Sequence, residues 1–209
     1  YSSVTGVQTC ALPIWKTTQV ARLVAFLRDR GYEVVACRDP GGTALGDRLR
    51  SILLDRGPLN PSMTAEMLLF MASRAQLVAE VIRPALERGE IVVCDRFLLA
   101  NVVYQGHAGG LPVDDLWNVG RVATGGLRPD LTLLLDVGVE VARERTGGSR
   151  DRMEDRPDSY REAVRRGFLD EAARFPAPIV VVDAEADPDC VAQRIQAEVS
   201  RALALDSRS

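Results

Sequence analysis

Apolar residues recur at helical spacing over residues 16–30. Val20, Leu23, Val24 and Leu27 share one face there, and Gly31 marks the stop. Residues 45–55, 64–88, 113–124, 139–146, 158–174 and 188–204 read as further helices. Between them lie short, continuously apolar runs. Glu33–Cys37, Ile91–Cys94, Leu131–Leu135 and Ile179–Val182 are each too short for a helix and rich in β-branched residues. Strands of this kind alternating with helices predict a parallel sheet covered on both faces. Polar residues follow each strand: Arg38-Asp39, Asp95-Arg96, Asp136 and Asp183. In open α/β sheets the ligand crevice lies at those carboxyl ends. A Gly/Arg/Asp-rich segment at 147–157 separates two helices, and residues 206–209 are expected to fray. There is no internal repeat and no low-complexity tract.

Bulk properties narrow the class only a little. A chain of 209 residues accommodates one domain with a small lid. With 46% hydrophobic and 26% charged residues it has an ordinary globular composition. A net charge of -3 gives no electrostatic case for nucleic acid. Arginines concentrate at 143–166 among acids, which suits either an anion-binding segment or a solvated helix. Cys10, Cys37, Cys94 and Cys190 form no C-x-x-C pair, and His107 has no His or Cys close by, so a zinc site is not expected. No apolar run approaches the ~20 residues that span a bilayer, and no signal peptide is evident. The expected compartment is the cytoplasm, with no membrane partner.

The chemistry centres on Lys16-Thr17-Thr18-Gln19 at the start of the first helix. These residues match the end of a phosphate-binding loop, G-x-x-x-x-G-K-[ST]. The glycines of that pattern should fall at positions 10 and 15, where Cys10 and Trp15 stand. Pro13 between them removes a backbone N–H from the cradle, and tryptophan lacks the backbone freedom of glycine. The run YSSVTGVQTCALPI at 1–14 resembles a translated sequencing-adapter fragment. Residues 1–15 are therefore expected to be a non-native segment in place of the first strand and most of the loop. A divergent natural N-terminus is the alternative, since Val4–Cys10 has some strand character.

Four further segments, in order, are R-D-P-G-G-T at 38–43 with Leu49-Arg50, L-L-F-M-A-S-R-A-Q-L-V at 68–78, D-R-F at 95–97 with Tyr104-Gln105-Gly106, and R-P-D-L-T-L-L-L-D at 128–136. D-R-M-E follows at 151–154. Together with K-T-T-Q they resemble the thymidylate kinase family, which phosphorylates dTMP with ATP. The resemblance covers about residues 16–205 and implies a P-loop nucleoside monophosphate kinase fold with a short arginine-bearing lid near 144–157.

It also implies roles. Lys16 would meet the β- and γ-phosphates of ATP, with Thr18 beside it, and Thr17 and Asp95 would hold Mg²⁺. Arg96 and Arg50 would bind the dTMP phosphate, for which the planar guanidinium fork is suited. Phe70 would stack on thymine and Arg74, four residues on, would bond its exocyclic oxygen; alone, an aromatic at that spacing reads as core. Asn101 offers a donor and an acceptor to the base. Tyr104 is expected beside the deoxyribose, Gln105 near base or sugar, and Gln76 in support of its helix. Asp39 stands where the family usually has glutamate, and Leu99-Ala100 replace polar residues common there, which leaves the base contacts open. Arg150 and Arg152 would bring lid charge to the transferring phosphoryl group, Arg150 also touching ATP. A homodimer with residues 64–88 near its interface is implied. The incomplete loop leads to an expectation of weak ATP affinity and little turnover in the chain as written. The rivals are another nucleoside monophosphate kinase, or a non-catalytic dTMP-binding protein.

Overall fold

A computed structural model describes residues 4–9, 16–55, 57–145, 156–174 and 179–206. Five parallel strands form its sheet: β1 (Val4–Thr9), β2 (Val34–Arg38), β3 (Ile91–Asp95), β4 (Leu131–Asp136) and β5 (Ile179–Asp183). Their order is β2-β3-β1-β4-β5. Val4–Thr9 thus takes the central place that the sequence left in doubt, with β3 on one side and β4 on the other.

Side chains alternate across the sheet with the two-residue period of a strand. Ile91 and Val93 join one core with Leu133 and Leu135. That core is covered by Leu23 and Leu27 of α1 (Lys16–Arg28) and by Val191, Ile195 and Val199 of α9 (Pro188–Asp206). Val92 and Cys94 point the other way, against Met67, Met71 and Leu77 of α3 (Met63–Leu77). Leu134 meets Val103 and Phe168, the latter from α8 (Asp158–Arg174). Burial on both faces is why these strands read as unbroken apolar runs.

Local signals set several boundaries. Thr43 caps α2 (Ala44–Leu54) by accepting the Gly46 N–H at 2.9 Å. Ser62 caps α3 in the same way from Ala65, at 3.2 Å. Gly125, at φ 59, ends α6 (Val113–Thr124) in the left-handed conformation. The helix expected at 64–88 is α-helical only to Leu77. It widens to a π-helical turn over Val78–Ile82 and resumes as α4 (Arg83–Glu87). Pro84 lacks an N–H, so the regular ladder cannot run through it.

The patterning missed one element. After β3 the chain forms α5 (Leu98–Asn101) and a π-helical stretch, Val102–His107. Almost every residue there is buried, so no polar stripe betrays the helix. The expected helix at 139–146 is α7 (Val139–Arg145). Most of the expected lid, and the 207–209 end of the tail, lie outside the described residues.

Candidate active site

The ends of β2 and β3 are tied together where the Asp39 N–H donates to the Asp95 carbonyl at 3.0 Å. Both strands then turn sharply. Gly41 and Gly42 have φ of 124 and 79. At that φ a side chain on Gly41 would be strained, and its Cβ would also press on the Asp47 carboxylate at 2.9 Å. Arg96 is the one non-glycine residue of positive φ, at 69, among the described residues. Left-handed backbone at an arginine is uncommon and is held by its surroundings. The Cys94 thiol donates to the Arg96 carbonyl at 2.9 Å. The Arg96 guanidinium carbon sits 5.0 Å from the centre of the Tyr104 ring, within cation–π range. Arg50, on α2, reaches back to the same loop and donates to the Pro40 carbonyl at 3.1 Å.

Arg74 is the centre of a buried polar run. It is 1% exposed. Its Nε donates to Asp39 Oδ2 at 2.6 Å and its Nη1 to Asn101 Oδ1 at 3.0 Å. Nη1 also meets the Met71 sulfur at 3.1 Å, and Nη2 the Phe97 carbonyl at 3.4 Å. Asn101 Nδ2 donates to Gln105 Oε1 at 2.6 Å, and Gln105 Nε2 to Glu66 Oε1 at 2.8 Å. Arg156 closes the run with Nη2 contacts of 2.9 and 3.0 Å to the two Glu66 oxygens. Burial pushes the Asp39 carboxyl up from its ordinary range, and the Arg74 guanidinium opposes this without cancelling it. One cause is visible: Asp39 Oδ1 is buried and meets no hydrogen-bond donor.

Tyr104 forms an aromatic wall beside this run. Its ring packs edge-on against Phe168, and its carbonyl accepts the Tyr160 hydroxyl at 2.6 Å. Arg156 lies over the Tyr160 ring, 4.4 Å from its centre. Burial pushes the Tyr160 hydroxyl well up, so it stays protonated and donates.

The structure therefore brings Asp39, Arg74, Asn101 and Gln105 into one bonded run, with Arg96 and Tyr104 paired and Arg50, on α2, bonded to the adjoining loop. Phe70 is half-buried on α3, one turn before Arg74. Asp95 is half-buried at the end of β3. Lys16, Thr17 and Thr18 open α1, with both threonines exposed. Gln76 is bonded to Glu80 along its own helix, which accords with a supporting role. Arg150 and Arg152 lie outside the described residues. Two members of the run, Glu66 and Arg156, were not singled out from the sequence. The signal for Glu66 was present: 66, 70 and 74 recur at a spacing of four, on one helix face. Arg156 had no such signal, since its partner is 90 residues away. A separate cavity of about 270 Å³ lies between α6 and the start of β4, lined by Phe97, Trp117, Arg121, Arg128 and Thr132. It includes none of the predicted site residues.

A parallel sheet of this order, with arginines and carboxylates gathered at its carboxyl edge, is that of a P-loop nucleoside monophosphate kinase fold. The thymidylate kinase family model matches residues 15–195. A thymidylate kinase of Symbiobacterium thermophilum is 43% identical over 189 residues, 90% of this chain and 88% of that one. One from Desulforudis audaxviator is 46% identical over 193 residues, covering 91% and 87%. The crystal structure of thymidylate kinase from Ehrlichia chaffeensis superposes with a TM-score of 0.76 at 25% identity, over 95% of this chain and 98% of that one. The chain belongs to the thymidylate kinase family, and it is an enzyme, a phosphotransferase.

Proposed function

We propose a division of labour by which this chain moves the γ-phosphoryl group of ATP onto dTMP. A phosphate oxygen of dTMP attacks the γ-phosphorus in line. The bond to the β–γ bridging oxygen breaks, and dTDP and ADP leave. Such a transfer needs positioning and charge neutralisation rather than a covalent intermediate.

Arg96 and Arg50 hold the dTMP phosphate. Phe70 stacks on the base, and Arg74, Asn101 and Gln105 meet its polar edge. Its bonds to Asp39, Met71, Asn101 and Phe97 occupy four of the five Arg74 N–H groups, leaving one on Nη2 for an exocyclic oxygen. Tyr104 faces the sugar. Lys16 and Thr18 hold the ATP phosphates at the N-terminus of α1, where helix N–H groups and dipole favour anions. Arg150 and Arg152 add charge from the lid.

The residues also fit Mg²⁺. Thr17 and Asp95 offer hydroxyl and carboxylate oxygens, the hard donors this ion takes. When bound, Mg²⁺ supplies charge neutralisation on the phosphate oxygens. A homodimer is supported by Leu45 and Ile52 on α2 and Leu68 on α3, which are 46%, 41% and 51% exposed. Light scattering giving a monomer mass at micromolar concentration would refute it. No helix among the described residues is long and apolar enough to cross a membrane. The proposed compartment is the cytoplasm, tested by cell fractionation.

The buried run from Asp39 to Gln105, beside Arg96 and Tyr104, is the observation that carries the substrate reading. The test is ADP release with ATP against a panel of dTMP, dUMP, dCMP and dGMP. Turnover concentrated on dTMP supports the reading, and preference for another monophosphate sinks it. Cys10 and Trp15 at the glycine positions favour a second reading, a dTMP-binding protein without catalysis. Calorimetric dTMP binding with no ADP release would select it.

A further inference from the structure

Glu66 is a buried carboxylate, 1% exposed, at one end of the polar run. The run has a definite polarity. The Glu66 oxygens can only accept while the carboxylate is charged, so Gln105 must turn its amide nitrogen toward them. Gln105 Oε1 then faces Asn101, which must present Nδ2. Asn101 Oδ1 in turn faces the Arg74 guanidinium, which can only donate. Flipping either amide would set like atoms against each other at a charged end. Two amides, each ambiguous alone, are thus aligned by a carboxylate and a guanidinium. Arg156 balances the Glu66 charge, and Asp39 that of Arg74.

We infer that Glu66 is a positioning residue that fixes the direction of the Gln105 and Asn101 amides and thereby the pyrimidine the site accepts. This rests on the proposal that the run meets the base. Fixed in this sense, the site offers a donor from Arg74 beside the Asn101 Oδ1 acceptor. Thymine presents the complement, an O4 acceptor beside an N3–H donor. Cytosine presents the reverse, an N4 amino donor beside an N3 acceptor. Discrimination between them depends on which way the Asn101 amide points. Arg74 holds that direction from one end of the run and Glu66, through Gln105, from the other.

The test is calorimetric binding of dTMP and dCMP to the full chain, which does not depend on turnover. Glu66→Gln frees the Gln105 amide to turn and leaves the Asn101 amide held from one end only, by Arg74. Its expected effect is a roughly tenfold loss of dTMP affinity, the scale of one charge-assisted hydrogen bond. The preference for dTMP over dCMP should fall by a similar factor, with ATP affinity unchanged. The double variant Glu66→Gln/Gln105→Glu should restore the preference. A carboxylate at 105 again can only accept from Asn101, while the glutamine at 66 donates to it. Unchanged selectivity in the single variant, or a double variant as poor as the single, overturns the inference. Gln105→Glu alone, should Glu66→Gln not fold, puts an acceptor-only carboxylate directly beside Asn101, which must still present Nδ2. The preference should survive in that variant even if affinity falls, and its loss overturns the inference. Wild-type chain that binds neither nucleotide overturns the underlying base-site reading instead, so the two failures are separable.

Discussion

Arg96 combines an unfavourable backbone with a guanidinium placed over the Tyr104 ring. At φ 69 a non-glycine residue costs of order 1 kcal/mol, and glycine would relieve it. Arg96→Gly should leave the thermal midpoint unchanged or slightly raised. It should weaken dTMP binding by on the order of 100-fold, the effect of losing a bidentate phosphate contact. A midpoint several degrees lower would show that the arginine is there for the fold. Asp39 gives a prediction of a different kind. Its carboxyl is raised from an ordinary value of 3.8. Between that value and the raised one, the folded chain holds more protons than the unfolded chain. Stability from this group therefore falls as pH rises through the window, and is flat below it and above it. Asp39→Asn should remove that slope from urea midpoints measured across mildly acidic pH. The overall level should also drop, since Arg74 then lacks its buried partner. An identical slope in the variant would show that Asp39 does not carry it.

At the scale of elements, the site depends on the segment that the pattern of the sequence hid. Residues 98–107 supply Asn101, Tyr104 and Gln105, yet show no amphipathic stripe because the chain buries them from both sides. Strand ends were legible because a short apolar run stopping at Asp or Arg is unusual, and β3 with Asp95-Arg96 was read from that alone. The pairing of Arg74 with Asp39, and of Glu66 with Arg156, was not legible, because periodicity carries no distance between elements. Gly109 shows how tightly the hidden segment is held. A Cβ there would lie 2.5 Å from the Gln105 carbonyl oxygen and 2.7 Å from the Met63 sulfur. The backbone atom cannot swing aside as a side-chain tip could. Gly109→Ala should destabilise by about 1–3 kcal/mol and weaken dTMP binding through Gln105. Chemical denaturation and calorimetry on one preparation would check both. Normal dTMP affinity in a destabilised variant would uncouple this turn from the site.

At the scale of the molecule, two halves of the chemistry stand on different footings. The proposed acceptor side is built from α3, the loop after β2 and the segment after β3, beside the core of Met67, Leu77 and Val92. The proposed donor side depends on residues 10–15, between β1 and α1, which lie outside the described residues. Trp15 and Cys10 occupy the positions where a phosphate cradle takes glycine, and Pro13 removes a donor. If that segment limits the enzyme, the deficit belongs to ATP alone. Cys10→Gly/Trp15→Gly should raise kcat/KM for ATP by on the order of 100-fold, the scale of one existing backbone donor turned onto a developing anion once glycine's conformational freedom is restored. The Kd for dTMP should not move, because the acceptor site draws on none of these residues. A parallel gain in both would mean that the two sites communicate through β1, which lies between β3 and β4. No gain in either would place the limit elsewhere and leave Lys16 and the helix N-terminus as a sufficient donor site.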